Sequence, residues 1–305
     1  MKHFIITVDT EGDNLWNWKE GEEITTQNAK AIPKFQELCE RFKFKPVYLI
    51  NYEMAMNDDL VAYLKEKAKR NLCEIGIHIH AWNTPPEYKI EEKFNGNPYI
   101  TEYPKEIMRE KISGLKKLIE DRFETKVISH RSGRWATNEE YFEVLKEIGI
   151  KIDCSVTPEI DMSMLSGRSC SKGPNYTHFP KNTYSIYDGI IEVPMSTRKV
   201  RRLTHGRLLH KIKCLLLGES LWMRILSKDI TNIKYLKNEI EKENKCDYIE
   251  FMLHSSELMP GGSPYFPLDK DVNRLFESFE QVFKEFSQDG YIGVTLKEYV
   301  KLNED

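Results

Sequence analysis

Residues 4–13 read Phe-Ile-Ile-Thr-Val-Asp-Thr-Glu-Gly-Asp. The first half, Phe4–Val8, is a short apolar run rich in β-branched side chains and reads as a buried strand. The second half sets three acids, Asp9, Glu11 and Asp13, at its end. A turn uses Asp and Gly in the same way. Yet a carboxylate ending a buried apolar strand is costly unless it is paired or on a metal. In parallel α/β barrels the chemistry sits at the C-terminal ends of the strands, so this stretch has the form of one barrel unit.

The rest of the chain repeats that form. Val47–Ile50, Cys73–His78, Lys126–His130, Lys151–Ser155, Ile190–Pro194, Tyr248–His254 and Tyr291–Val294 read as further strands, about eight in all. Helix-period segments separate most of them. Thr26–Phe42 sets Ile32, Phe35, Leu38, Cys39 and Phe42 on one face. Asp58–Lys69 has Asp58 as its cap, and Pro104–Phe123 opens on a proline. Thr137–Ile148 carries Thr137 and Glu140 as a capping box and Gly149 as its stop. Asp269–Ser287 is a long helix, and a short one ends near Val300. Strand–helix alternation implies parallel pairing, in an open sheet or a closed barrel. No G-x-G-x-x-G follows the first strand and there is no P-loop, so the nucleotide-binding open sheets lack their signal.

A length of 305 residues suits either two domains or one barrel with insertions. A site drawn from positions 9 to 254 favours one domain spanning 1–305. With 40% apolar and 30% charged residues the chain is neither disordered nor collagen-like. A net charge of −3 gives no basic excess for nucleic acid, so no nucleic-acid partner is expected. None of the six cysteines forms a C-x-x-C pair, which suggests reduced core thiols. The N-terminus lacks the apolar core of a signal peptide, and no run approaches the ~20 residues that span a bilayer. These features lead us to expect a soluble, cytoplasmic protein.

Two stretches break the rhythm. Residues 81–103 form a long loop of the kind that borders active sites. Within 195–245 a helical basic insertion is expected, with Arg198, Lys199, Arg201, Arg202, Arg207, Lys211 and Lys213 interleaved with Leu208, Ile212, Leu215 and Leu216. It reads as a solvated helix, or as a contact for anionic groups. The 198–213 stretch is thus a candidate for peripheral membrane contact or for a nucleotide-linked sugar.

Polar residues collect at strand ends: Asp9 and Glu11, then His78 and His80, Arg131 with Arg134, Asp153, and His254. On an extended chain His78 and His80 point to one side. Both nitrogens can then bind one ion, with a third ligand from Glu11 or Asp9. Arg131, directly after a strand, suits the orienting of a carboxylate. Trp16, Trp18, Trp82, Trp135 and Tyr99 lie just beyond these ends. Flat apolar faces beside polar groups suit sugar rings, and Trp16, Trp82, Arg134 and Trp135 are the candidate substrate contacts. Ser255 and Ser256 are not in G-x-S-x-G.

This pattern resembles the NodB-homology polysaccharide deacetylases, carbohydrate esterase family four. More narrowly it resembles the WalW/WbmS-type branch associated with O-antigen or lipopolysaccharide biosynthesis. Thr7-Val8-Asp9-Thr10-Glu11-Gly12-Asp13 stands at the T-F-D-D-G motif, and Glu74–Trp82 at the H-x-x-x-H motif. Arg131-Ser132-Gly133-Arg134-Trp135 stands at R-x-P-Y, and Leu253-His254 at the last motif. The resemblance implies a distorted (β/α) barrel of seven to eight mostly parallel strands. It implies hydrolysis of an N-acetyl group from an amino sugar, glycan or sugar nucleotide in surface-polysaccharide synthesis, with a divalent metal, zinc first. Asp9 would be the general base, Arg131 its orienting partner, His78 a ligand and His254 the general acid. The family's second aspartate is Thr10 here, so Glu11 would replace it. The family's second histidine falls at Trp82, so His80 would replace it. Two other readings are a catalytically silent glycan-binding barrel and a metal-independent amidohydrolase of a small cyclic amide.

Overall fold

A computed structural model describes residues 1–202, 214, 218–227, 229–243 and 246–304. The strands are β1 (Lys2–Thr10), β2 (Pro46–Ile50), β3 (Glu74–Ile79), β4 (Ser129–Ser132), β5 (Ile152–Asp153), β6 (Tyr184–Tyr187), β7 (Ile190–Glu192), β8 (Thr197–Val200), β9 (Glu219–Trp222), β10 (Tyr248–His254) and β11 (Tyr291–Gly293). The helices are α1 (Ile32–Arg41), α2 (Tyr52–Ala55), α3 (Asp58–Lys69), α4 (Lys105–Phe123), α5 (Glu139–Glu147), α6 (Thr231–Glu243), α7 (Asp269–Gln288) and α8 (Leu296–Glu304).

The main sheet runs β10-β1-β2-β3-β4-β5-β7-β6. Among the described residues only β6 is antiparallel to its neighbour in this sheet. β11 pairs with the start of β1 (Lys2–Phe4), and β2 with its end (Ile6–Thr10). The two outer strands of the path, β10 and β6, are not joined. The result is a curled, mostly parallel sheet, the distorted (β/α) barrel in a single domain that the sequence led us to expect.

Alternation along β1 explains its layers. Phe4, Ile6 and Val8 face outward into the large core shared with the helices, and Ile5 faces the smaller inner core. That inner core, with Val47, Leu49, Tyr248, Leu296 and Tyr299, fills the bottom of the curl. Thr7 and Asp9 follow Ile5 on the inward side at period two. The register then does the placing. Asp9 lies beside His254, and His78 beside Arg131. Ile75, Ile77 and Ile79 of β3 face the outer core, so His78 is left facing inward, with His80 two residues beyond.

Several local expectations are corrected. Asn57, not Asp58, caps α3 by accepting from the Leu60 amide, and Asn138, not Thr137, caps α5 by accepting from the Tyr141 amide. Thr137 instead bonds the Tyr176 hydroxyl. The segment before α1 is a 3-10 turn over Gln27–Ala31, and the α-helix begins beside Pro33, which has no N–H to extend it backward. The basic segment opens on a strand rather than a helix: β8 pairs antiparallel with β9 as a separate two-stranded sheet. Arg198 is buried there on Glu243, and Arg202 pairs with Glu219. Arg207, Leu208, Lys211, Ile212, Lys213, Leu215 and Leu216 lie outside the described residues. Cys39, Cys73 and Cys154 are free and buried. Among the described residues no helix is long and apolar enough to cross a membrane.

Candidate active site

Glu11, His78 and His80 converge at the top of the curl. All three are buried, and one ligand atom from each lies within 4.8 Å of the others. His80 Nε2 is 2.7 Å from Glu11 Oε2, His78 Nε2 is 3.4 Å from the same oxygen, and the two Nε2 atoms are 3.2 Å apart. Around a tetrahedral zinc with bonds of roughly 2.0–2.1 Å, ligand atoms stand on the order of 3.3 Å from one another. Two imidazole nitrogens and a carboxylate oxygen also suit zinc and its neighbours. The donor set and its spacing therefore fit a divalent ion.

The chain fixes these side chains from behind. The Arg131 carbonyl lies 3.1 Å from His78 Nδ1 and orients that ring. The Ser255 hydroxyl accepts from the Glu11 amide and donates to the Glu11 carbonyl, and Asn28 Nδ2 donates to that carbonyl as well. Thr10 spends its hydroxyl on the Val8 carbonyl of its own strand. Asp13 is turned away, and accepts from Thr25 and from the amides that open the 3-10 turn at Gln27. Glu11 is thus the acid of the cluster that faces the histidines.

Asp9 is held on the other side. Arg131 Nη1 donates to Asp9 Oδ1 at 2.6 Å, while its Nη2 donates to Thr7 and to Glu250 and its Nε to the Cys154 carbonyl. Burial opposes ionisation of Asp9, but the Arg131 guanidinium, with His78 and His254, outweighs it and keeps the carboxyl below its ordinary range. For Glu11 burial is likewise outweighed, by His254, His78 and His80, and its pKa is held well down. The same two acids raise His78 against its burial. His80 is lowered, because burial exceeds the help it has from Glu11.

His254 Nε2 stands 3.7 Å from Asp9 Oδ2 and 3.9 Å from Glu11 Oε1. Its Nδ1 is 3.0 Å from Arg224 Nη2, which also donates to Glu257. An arginine carries no acceptor, so Nδ1 must accept and the neutral ring carries its proton on Nε2, facing the acids. Burial, then Arg224, holds the His254 pKa below its ordinary value.

A cavity of about 540 Å³ opens above these groups. Trp16, Trp82, Arg134 and Trp135 all line it, with Asp9, Glu11, His78, His80 and His254. Trp16 packs edge-on to His254 at 5.1 Å and Trp82 lies 4.3 Å from His80. Arg134 has a further use: it donates to the carbonyls of Asn97 and Ser166 and stacks on Tyr99, strapping the 81–103 loop to the 155–183 loop. Trp18 bonds the Glu22 carbonyl and stays outside the cavity. Asp153 also lies apart, buried on His130 and Ser155.

Sequence reasoning missed Arg224, Trp222, Glu250 and Asn28. Glu250 left a signal: it is the lone charge in Tyr-Ile-Glu-Phe-Met-Leu-His and shares parity with His254. Arg224 left none: it follows β9, inside a stretch whose sequence reads as a helical insertion.

No family model matches the chain, and no curated protein matches it. Solved structures do. A protein assigned as a polysaccharide deacetylase from Mycobacterium smegmatis has a TM-score of 0.50 at 11% identity, over 97% of this chain and 94% of its own. The 4-alpha-glucanotransferase of Thermococcus litoralis has a TM-score of 0.57 at 14% identity, over 99% of this chain and 40% of its own. A GH57 branching enzyme from Thermococcus kodakaraensis has 0.54 at 12% identity, over 98% and 71%. At such identities the likeness is one of fold: these proteins share the curled, mostly parallel (β/α) barrel of this chain.

Proposed function

We propose that the chain is a metal-dependent hydrolase that removes an acetyl group from an N-acetylated amino sugar. The observation that carries this reading is the Glu11-His78-His80 triad lying beside an Arg131-held Asp9 and within 4 Å of His254. A divalent ion held by Glu11, His78 and His80, with zinc the best match to two imidazoles and a carboxylate, would polarise the amide carbonyl and make water a better nucleophile. Asp9, kept ionised by Arg131, takes the proton of the attacking water. That proton is needed on the nitrogen as the C–N bond breaks. His254 Nε2, beside Asp9, is the atom from which the leaving amine is served. The tryptophans of the cavity hold the sugar ring and shut out bulk water. A role in surface-polysaccharide assembly rests on the sequence resemblance alone.

Glycoside cleavage or transfer, the work of the two Thermococcus neighbours, needs two free carboxylates flanking the bond. Here Glu11 is engaged by two imidazoles, which leaves Asp9 without a second free carboxylate across the site and favours amide hydrolysis. The test is acetate release from a panel of N-acetylated sugars and nucleotide sugars by zinc-loaded protein. Release that is lost on chelation and in Asp9→Asn supports the reading. No acetate from any member of the panel contradicts it.

A further inference from the structure

Of the large apolar side chains exposed among the described residues, Trp16, Leu165, Leu226 and Tyr265 all line the cavity above the triad. Their exposures are 36%, 52%, 39% and 40%. They come from four separate segments: the loop after β1, the 155–183 loop, the turn after β9 and the loop after β10. Single exposed apolar residues are ordinary on a protein surface, but a set converging on one mouth marks a binding surface. Trp16 and Tyr265, packed edge to face with the Arg224 guanidinium over both rings, suit a polar sugar ring. A sugar ring does not account for the leucines, nor for Leu15 and Met162 in the same wall. Aliphatic side chains repay only another apolar surface.

We infer that the substrate carries an aliphatic aglycone, seated on a rim of Leu165 and Leu226 while its sugar lies between the aromatic residues and the triad. The inference rests on the deacetylase reading for the sugar end only. The aglycone's source is either a lipid in a bilayer or a soluble amphiphile, and both present the same alkyl chemistry.

The probes are the methyl and octyl glycosides of N-acetyl-β-D-glucosamine, below micelle-forming concentrations, with the full zinc-loaded chain. By calorimetry the octyl glycoside should bind at least about tenfold more tightly, since each buried methylene is worth roughly fourfold. The ratio of kcat/KM values should follow. Leu165→Ser combined with Leu226→Ser, at exposed positions where folding is readily checked by circular dichroism, should bring the octyl-to-methyl ratio close to one. Phosphatidylcholine vesicles separate the sources. Co-sedimentation that the double variant loses assigns the aglycone to a bilayer lipid, and an octyl preference without it assigns a soluble amphiphile. Equal binding of the two glycosides, or an octyl preference unchanged in the double variant, overturns the rim. If both glycosides are then hydrolysed alike, the deacetylase reading stands. An octyl preference in binding with no acetate from either glycoside leaves the rim standing, and the deacetylase reading then falls only if the wider panel of N-acetylated sugars also releases none.

Discussion

Arg131 is one cation shared by two buried carboxylates, Asp9 and Glu250. Asp9 is the one kept ionised. Burial, only partly offset by Arg131 and Thr7, pushes Glu250 up to about 7, and its Oε2 has no partner among the described residues. A carboxyl raised in the folded state contributes stability that is fully present below its unfolded value and is lost as pH rises through the folded one. Wild type should therefore lose stability between about pH 4.5 and 7 from this residue, by roughly 3 kcal/mol. Glu250→Gln mimics the protonated form, so urea unfolding at pH 5 and pH 8 should show that share of the loss gone. An unchanged pH slope would refute the assignment. Arg224 permits a second residue-scale prediction. Burial and then Arg224 depress His254, so Arg224→Ala should move the His254 titration upward in proton NMR. No movement would mean that Arg224 does not act on the ring. These residues divide by legibility. Asp9, Glu11, His78 and His80 could be found because each sits at or just past the end of an apolar strand, where a polar group needs a reason. Arg224 and Asn28 reach the site from the turn after β9 and from a 3-10 turn, with no such periodicity.

Elements position the site through close backbone approach. Gly133 follows β4, and a Cβ there would fall 2.4 Å from the Ile79 carbonyl oxygen and 2.6 Å from His80 Nδ1. The next two residues, Arg134 and Trp135, have φ of 58° and 63°, left-handed values that side chains tolerate poorly. The turn is thus folded hard against His80 while it delivers Arg134 and Trp135 to the cavity. Gly133→Ala should leave the far-ultraviolet spectrum intact but weaken zinc binding at least tenfold by calorimetry, because only a shift of β3 or His80 can admit the methyl group. At the far end of the next loop, Asn138→Ala should cost about 1 kcal/mol in urea unfolding by removing the cap of α5. Strands with an apolar outward face and inward chemistry were legible at this scale. β6, β8 and β9 were not: they are short edge pairings whose partners only the tertiary fold supplies. The 155–183 segment was also unreadable as a wall of the site. Its order comes from Glu102, which accepts from the amides of Arg168, Ser169 and Cys170 across the loops.

Across the whole molecule the inward side of the curled sheet is stacked in three levels. Apolar packing of Ile5, Val47 and Tyr248 lies at the bottom. The charged level of Thr7, Glu250 and Arg131 lies above it, and the open site with Asp9, Glu11, His78, His80 and His254 at the top. Period-two alternation along β1 alone visits all three, through Ile5, Thr7 and Asp9. The outer core is set by α7, whose Phe279, Phe283 and Phe286 meet Phe4, Phe35 and Phe251. Phe283→Ala should cost about 3–5 kcal/mol by leaving a cavity there, read by urea unfolding, without touching the triad directly. The central claim is that these levels exist to hold one ion between β1 and β3. Anomalous scattering at the zinc edge from zinc-soaked crystals tests it most directly. The account predicts one peak bonded by Glu11, His78 and His80, with Asp9 on Arg131 beside it. Crystals with a well-ordered site and no anomalous peak among those three side chains would contradict it.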